Sequence, residues 1–291
     1  MNDPLTSAVA AAARLLDQHP DYRVLRAVPA LDQLSLTEPE GRTRRMVVLD
    51  VETTSLDAST GRIIELALCP VEIDGTGRIV AVGAVYDWLE DPGEPLSPLI
   101  ARLTGLNDAV LARRRINDEA VLALLNSSAV LVAHNARFDS SWIEARYPSL
   151  AGKPWACSLA EIDWRSHGFE SRQLGGLLAD AAGLFNTRHR ADADVAALVT
   201  LLATRLPSGL TACEEMIASA SRPTVRIAAK GAPFAVKELL KARGYRWDPV
   251  QRHWWTELAR DAADAERAWL VEHALCRPAA RTITWHERHR C

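Results

Sequence analysis

Arg45-Met46-Val47-Val48-Leu49-Asp50-Val51-Glu52-Thr53-Thr54 is the stretch around which the chain organises itself. Met46 to Leu49 is a continuous apolar run of the kind that forms a buried strand. Alternation along a strand sends Asp50 and Glu52 to one face and Val51 to the other. Two carboxylates this close repel each other unless a cation lies between them. Taken alone, the segment also reads as an ordinary strand end with two solvated acids.

Two later segments add acids of the same kind. In Ala129-Val130-Leu131-Val132-Ala133-His134-Asn135-Ala136-Arg137-Phe138-Asp139 a second buried strand ends near His134, and Asn135 suits the N-cap of a following helix. Asp139 shares a helix face with Trp142 and Ile143 and so points inward. Complementing the helix dipole is the alternative role for a first-turn aspartate. His134 reads as a hydrogen-bonded structural residue and Phe138 as core packing. In His189-Arg190-Ala191-Asp192-Ala193-Asp194-Val195 a helix buries Val195, Leu198, Val199 and Leu202, with Asp194 on the same stripe. Asp192 points elsewhere and reads as the cap. His189 falls in the lead-in loop, free to swing over the acids; imidazole titrates near neutrality, which suits a general base. Carboxylates are rare on core-facing stripes unless something positive neutralises them. Asp50, Glu52, Asp139 and Asp194 therefore point to a pair of divalent ions. Oxygen-only donors favour magnesium, with manganese as a substitute.

The order D-V-E-T-T, H-N-A-R-F-D, H-R-A-D-A-D resembles the DEDDh family of 3′→5′ exonucleases, which includes the epsilon proofreading subunit of bacterial DNA polymerase III, RNase T and oligoribonuclease. Leu103-Thr104-Gly105-Leu106, Trp155-Ala156-Cys157-Ser158 and Leu174-Gly175-Gly176-Leu177-Leu178 fit as well, so the likeness spans roughly residues 44–207. It implies an α/β, RNase H-like fold: a mixed five-stranded sheet flanked by helices. It also implies that Asp50, Glu52 and Asp194 hold two metal ions, with Asp139 acting partly through water. His189 would take a proton from the attacking water, releasing nucleoside 5′-monophosphates. By the same resemblance, the backbone of Thr53 and Thr54 receives the terminal 3′-hydroxyl and Leu56 wedges beside the terminal base. Where the family commonly has glycine this chain has Ser55, which would shift the receiving loop if that position needs a positive φ.

Composition agrees with an enzyme of this size. The chain has 291 residues, 48% of them hydrophobic, enough for one medium domain plus something smaller. Five cysteines, Cys69, Cys157, Cys213, Cys276 and Cys291, form no C-x-x-C pair, so neither a disulfide framework nor a zinc site is indicated, and a cytoplasmic location is expected. The start, Met-Asn-Asp-Pro, lacks a basic leader, and no membrane span is expected. Residues 1–43 read as a helical extension (Leu5 to Asp17) and linker, 44–207 as the exonuclease domain, 208–221 as a short helical linker and 222–291 as a small α+β domain. Strands are expected at Met46–Val51, Ile63–Ile73 and Ile79–Trp88, the last two joined as a hairpin by Gly75-Thr76-Gly77.

Charge divides the chain. Residues 222–291 carry 14 Lys and Arg against 8 Asp and Glu, whereas residues 1–221 carry 20 against 29. Five of the nine tryptophans, Trp247, Trp254, Trp255, Trp269 and Trp285, also lie in the tail. A helix with Val236, Leu239 and Leu240 inward is expected to stop at Gly244. A hairpin turning at Asp248-Pro249 then pairs Tyr245-Arg246-Trp247 with His253-Trp254-Trp255. The pattern is similar to a small module attached to exonucleases and other DNA-processing proteins. Lys237, Lys241, Arg243, Arg246 and Arg252 are its candidate nucleic-acid contacts; a solvated basic face around an aromatic core is the alternative.

Gln33-Leu34-Ser35-Leu36 resembles the peptide by which bacterial proteins dock on the replication sliding clamp, with ordinary linker packing as the alternative. The partner implied is DNA with a single-stranded or frayed 3′ end. Short RNA, or a non-catalytic role beside a polymerase or clamp, are the competing readings.

Overall fold

The computed structural model describes residues 4–186 and 189–290; Cys291 lies outside them. Six strands, β1 (Arg44–Thr53), β2 (Ile63–Ile73), β3 (Ile79–Val82), β4 (Tyr86–Leu89), β5 (Val130–Ala133) and β6 (Trp155–Cys157), form a mixed sheet. The order is β3-β2-β1-β5-β6, with β4 also on β2. β1 is antiparallel to β2 and parallel to β5, so Glu52 lies opposite Glu65 while Met46 to Val48 lie beside Val130 to Val132.

The sheet is five strands wide because β3 and β4 share the outer edge of β2. The expected single strand Ile79–Trp88 is interrupted at Gly83. Its amide donates to the Pro70 carbonyl at 2.8 Å, and a Cβ there would meet Pro70 Cγ at 2.8 Å. Proline has no N–H to return, so the ladder cannot run through.

Among the described residues, six helices of seven or more residues accompany the sheet: α1 (Pro4–Asp17), α2 (Pro98–Thr104), α3 (Asp118–Ser127), α4 (Ala136–Arg146), α5 (Ala191–Ala203) and α6 (Ala212–Ala220). Successive β1 residues enter opposite layers. Val47, Leu49 and Val51 pack with Val121 and Leu125 of α3 and Trp142 and Ile143 of α4. Met46 and Val48 pack with Val195, Leu198 and Leu202 of α5. The stretch 208–221, read as a short helical linker, is largely α6. Ala212, Cys213, Met216, Ile217 and Ala220 make one buried stripe in the same core, because helical spacing gathers them on a single face. Leu31, Leu34 and Leu36 of the N-terminal extension lean on this core too, which is the packing alternative for Gln33–Leu36.

Residues 224–283 build a second sheet from β7 (Thr224–Lys230), β8 (Arg246–Asp248), β9 (His253–Ala259) and β10 (Arg277–Ile283), in the order β8-β9-β7-β10 and antiparallel throughout. Helices α7 (Lys237–Ala242) and α8 (Ala263–His273) complete a β-α-β-β-α-β unit, the split β-α-β arrangement. Both helices cover one face, where Leu240 and Leu270 meet Ile227, Ala229, Trp254 and Leu258. Gly244 ends the α7 segment at φ +85°. Leu239, expected inward, is 44% exposed, because α7 is short and only Leu240 turns fully onto the sheet. The last residues return to the first domain. Trp155 N donates to the Trp285 carbonyl at 3.0 Å, Arg288 and His289 pair with Glu161, and Arg290 pairs with Glu144. No helix among the described residues is long and apolar enough to cross a membrane.

Candidate active site

Asp50 and Glu52 leave β1 on the face covered by α5, two residues apart on one side of the strand. Asp194 stands in the first turn of α5. Carboxylate oxygens of these three residues lie within 4.8 Å of one another. Asp139, from the first turn of α4, is buried beside them; its Oδ1 has no hydrogen-bond partner among the described residues.

Such crowding has an electrostatic signature. Asp50 is held well above the usual carboxylate range, first by burial and then by Asp139, Asp194 and Glu52. Burial, reinforced by Asp194 and Glu65, pushes Glu52 up to about 7. Asp139 is pushed up to about 8, mainly by burial. Asp194 is raised by burial, although Asn186 Nδ2 donates to it at 2.5 Å and the His189 amide at 3.0 Å. Four acids that resist ionising together lack positive charge. An all-oxygen donor set with an unpartnered buried oxygen fits hard divalent cations.

His189 is exposed in the loop entering α5, with φ 61°, and a charge on its ring would lower Asp194. The start of α5 is not capped as expected. Asp192 lies in the first turn, where among the described residues its carboxylate accepts only from Ala193 N at 2.8 Å, and the N-cap residue Arg190 makes no side-chain cap bond. Glu65, fully buried on β2, accepts from Ala191 N at 3.1 Å and pairs with Arg190 at 2.7 Å. This strand carboxylate fastens the His189 loop to the sheet. Nothing in the local pattern around Arg190 announces it; the one available signal was a glutamate inside the apolar run Ile63-Ile64-Glu65-Leu66. Asp87 on β4, opposite Ala67, is a further acid near Glu65, pushed up to about 6 by burial.

Asn135 occupies the N-cap position of α4 but with φ 82° and no side-chain cap bond; Ala136 N donates to Cys157 Sγ at 3.3 Å instead. His134 is bonded through both ring nitrogens, to Ser158 Oγ at 2.7 Å and the Arg172 carbonyl at 2.9 Å. Burial lowers its pKa, so the neutral ring donates to the carbonyl and accepts from the serine. Thr53 Oγ1 donates to the Ser55 carbonyl at 2.6 Å, and Thr54 Oγ1 accepts from Arg62 N at 2.9 Å. Ser55 is not among the residues with positive φ, so no left-handed strain arises there. Beside it Gly61 leaves no room for a Cβ, which would meet Ser55 Oγ at 2.5 Å and Trp142 at 2.7 Å. Leu56 is 88% exposed.

The five basic candidates of the second domain separate. Arg243 pairs with Glu266 at 2.8 Å and lies over Trp269, joining α7 to α8. Lys241 pairs with Glu238, and Lys237 lies over Phe234. Arg252 sits in the β8–β9 turn at φ 53°. Arg246 alone of the five lines the cleft between the two domains.

A family model described as exonuclease (RNase_T) matches residues 47–202. The PolC-type DNA polymerase III of Halalkalibacterium halodurans is 38% identical over 107 residues, covering 36% of this chain and 7% of that protein. That of Thermotoga maritima is 32% identical over 136 residues, covering 46% and 9%. The chain thus spans less than a tenth of the length of these curated relatives. Exonuclease X in complex with 5′-overhanging duplex DNA aligns with a TM-score of 0.42 and 23% identity, over 60% of this chain and 99% of that one. E. coli exonuclease I in complex with a dA16 oligonucleotide aligns with a TM-score of 0.46 and 15% identity, over 65% and 48%.

Proposed function

The chain belongs to the exonuclease family whose model covers residues 47–202, and from that premise we propose a metal-dependent 3′→5′ exonuclease that trims single-stranded or frayed DNA ends. The observation that carries the proposal is the meeting of Asp50, Glu52 and Asp194 within 4.8 Å, with buried Asp139 alongside. Asp50, Glu52 and Asp194 would hold two divalent ions, magnesium or manganese, with Asp139 completing their surroundings. When bound, such ions polarise the scissile phosphate, ease ionisation of the attacking water and stabilise the leaving oxygen.

The remaining work falls to the chain's own groups. His189, exposed at the mouth of the acid cluster, takes the proton from water as it attacks phosphorus. The 3′ oxygen of the penultimate nucleotide leaves, and a nucleoside 5′-monophosphate is released. Glu65 and Arg190 keep the His189 loop against the sheet. The backbone of Thr53 and Thr54 receives the terminal 3′-hydroxyl, and Leu56, which packs against little of the protein, lies against the terminal base. The PolC-type relatives are DNA polymerases by name, which favours DNA over RNA.

Matched 5′-labelled DNA and RNA oligonucleotides, digested with magnesium beside the Asp50→Ala variant, test this. DNA ladders shortening from the 3′ end and lost in the variant are expected. Preferential RNA digestion would reassign the substrate; no ladder on either would leave a non-catalytic accessory role.

A further inference from the structure

We infer that the uncovered face of the C-terminal sheet and the opposing wall of the exonuclease domain form a binding channel for single-stranded DNA, through which the strand upstream of the 3′ end passes. The inference rests on the nuclease reading for its direction only; the cleft stands on its own geometry.

α7 and α8 both pack on one face of the β8-β9-β7-β10 sheet, leaving the other without a helical layer. Strand alternation fixes what that face displays. In register across it are Arg246 with Trp255, Trp255 with Ala228 and Ala228 with Ala279; one step along are Arg226, Glu257 and Arg281. Trp255 therefore stands beside two alanines, with Arg226 4.4 Å and Arg246 5.8 Å from its ring centroid. A part-exposed aromatic ring bordered by small side chains, with guanidinium planes lying over it, is a surface on which a base can stack against ring or guanidinium.

This face borders a cleft of about 1300 Å³ whose opposite wall includes Asn135, Arg137 and Arg172 of the exonuclease domain. Asn135 and Arg137 belong to the loop and first turn of α4, the same segment that carries Asp139, so this wall and the acid cluster are built on one element.

Charge identifies the occupant. The cleft's acids are engaged within the protein: Glu161 by Arg288 and His289, Glu257 by Arg226 and Arg288, and Asp248 by the amides of Val250 and Gln251. Arg137, Arg172, Lys230, Arg246 and Arg281 line the same space, and none of the five has an ion pair among the described residues. Like charges facing one another across a concave space repel unless a polyanion lies between them. Regularly spaced phosphates with exposed bases satisfy both the cations and the tryptophan. A duplex has its bases stacked inward and cannot use Trp255, so the channel selects single strands.

Anisotropy of fluorescein-labelled dT20 in EDTA reads binding without turnover. Two walls are tested separately, by Lys230→Glu with Arg281→Glu on the sheet and by Arg137→Glu on the exonuclease domain. Each is expected to weaken dT20 binding about 10-fold or more at 100 mM salt, and the double variant to lower the salt slope by about 1.4, since each phosphate contact on a single strand contributes roughly 0.7. Trp255→Leu is expected to weaken it about 5-fold or more through lost stacking. Arg267→Glu, on α8 away from the cleft, should change nothing. Native circular dichroism of each variant is required for its result to count, and the exposed sites Lys230, Arg281 and Arg137 keep the test open if Trp255→Leu misfolds. Unchanged dT20 affinity in both charge-reversal variants overturns the channel, even if 3′ ladders persist. Equal affinity and equal sensitivity for a blunt duplex also overturns it, and tighter binding of rU20 overturns the assignment to DNA. Absence of ladders with variant-sensitive dT20 binding would instead sink the nuclease reading and leave the channel standing.

Discussion

Magnesium is expected to raise the thermal midpoint of this protein sharply at pH 8 and little at pH 5. Glu52 carries the effect most simply. Burial, then Asp194 and Glu65, push its carboxyl from 4.5 to about 7. Its folded pKa lies above its unfolded one, so its favourable contribution is complete below pH 4.5 and is lost as pH rises through 7. A shift of that size corresponds to about 3 kcal/mol, reduced to about 2 kcal/mol because the side chain keeps some solvent contact. Asp139, pushed up to about 8, carries the decline further. Metal-free protein should therefore lose stability between pH 5 and pH 8. A ligand at 100 times its Kd returns about 2.7 kcal/mol. At about 2–4 °C per kcal/mol, that is a rise of about 5–10 °C. Differential scanning calorimetry at pH 5, 6.5 and 8, in EDTA and in magnesium, measures it. Glu52→Gln is the control, since an amide mimics the protonated acid. That variant should melt above wild type in EDTA at pH 8 and respond weakly to magnesium. If wild type and Glu52→Gln show the same pH profile and the same magnesium shift, the acid cluster is not a metal site and the reasoning fails.

Two further outcomes follow from the same geometry. His189→Ala should keep the magnesium-induced stabilisation, because His189 is not one of the clustered carboxylates, but lose about 10²–10⁴-fold in kcat on a labelled oligonucleotide; undiminished kcat would remove it as the base. Glu65→Gln leaves Arg190 without its 2.7 Å ion pair and should lower the melting free energy by about 1–3 kcal/mol while reducing kcat more than it raises KM. A change in KM alone would mean that Glu65 does not position the His189 loop.

Much of the site could be read from local pattern. The Met46–Leu49 run, the period-two placement of Asp50 and Glu52, and the helical stripe holding Asp194 above Leu198 depend only on backbone geometry and side-chain polarity. The hairpin around Asp248-Pro249 was legible for the same reason, but its register, with Trp247 opposite Trp254 and Asp248 opposite His253, is set by the turn at residues 249–252. Leu239 falls outside the expected inward stripe because a six-residue helix offers the sheet less than a full apolar face. The helical character of Ala212–Ala220 is legible in the sequence, but its packing into the first core is not, because a short stripe of small residues looks neutral until a core is present to receive it.

What sequence alone determined here is which residues alternate, which share a helical stripe, and which acids recur in an order that matches a family. These follow from periods of two and 3.6, which are local. Tertiary structure alone decided that Glu65, 126 residues from Ala191, caps its helix, that Gly83 breaks a strand against Pro70, and that Trp255 and Arg137 face one cleft. Those depend on which distant surfaces exclude water together, and burial of that kind leaves no period in the chain.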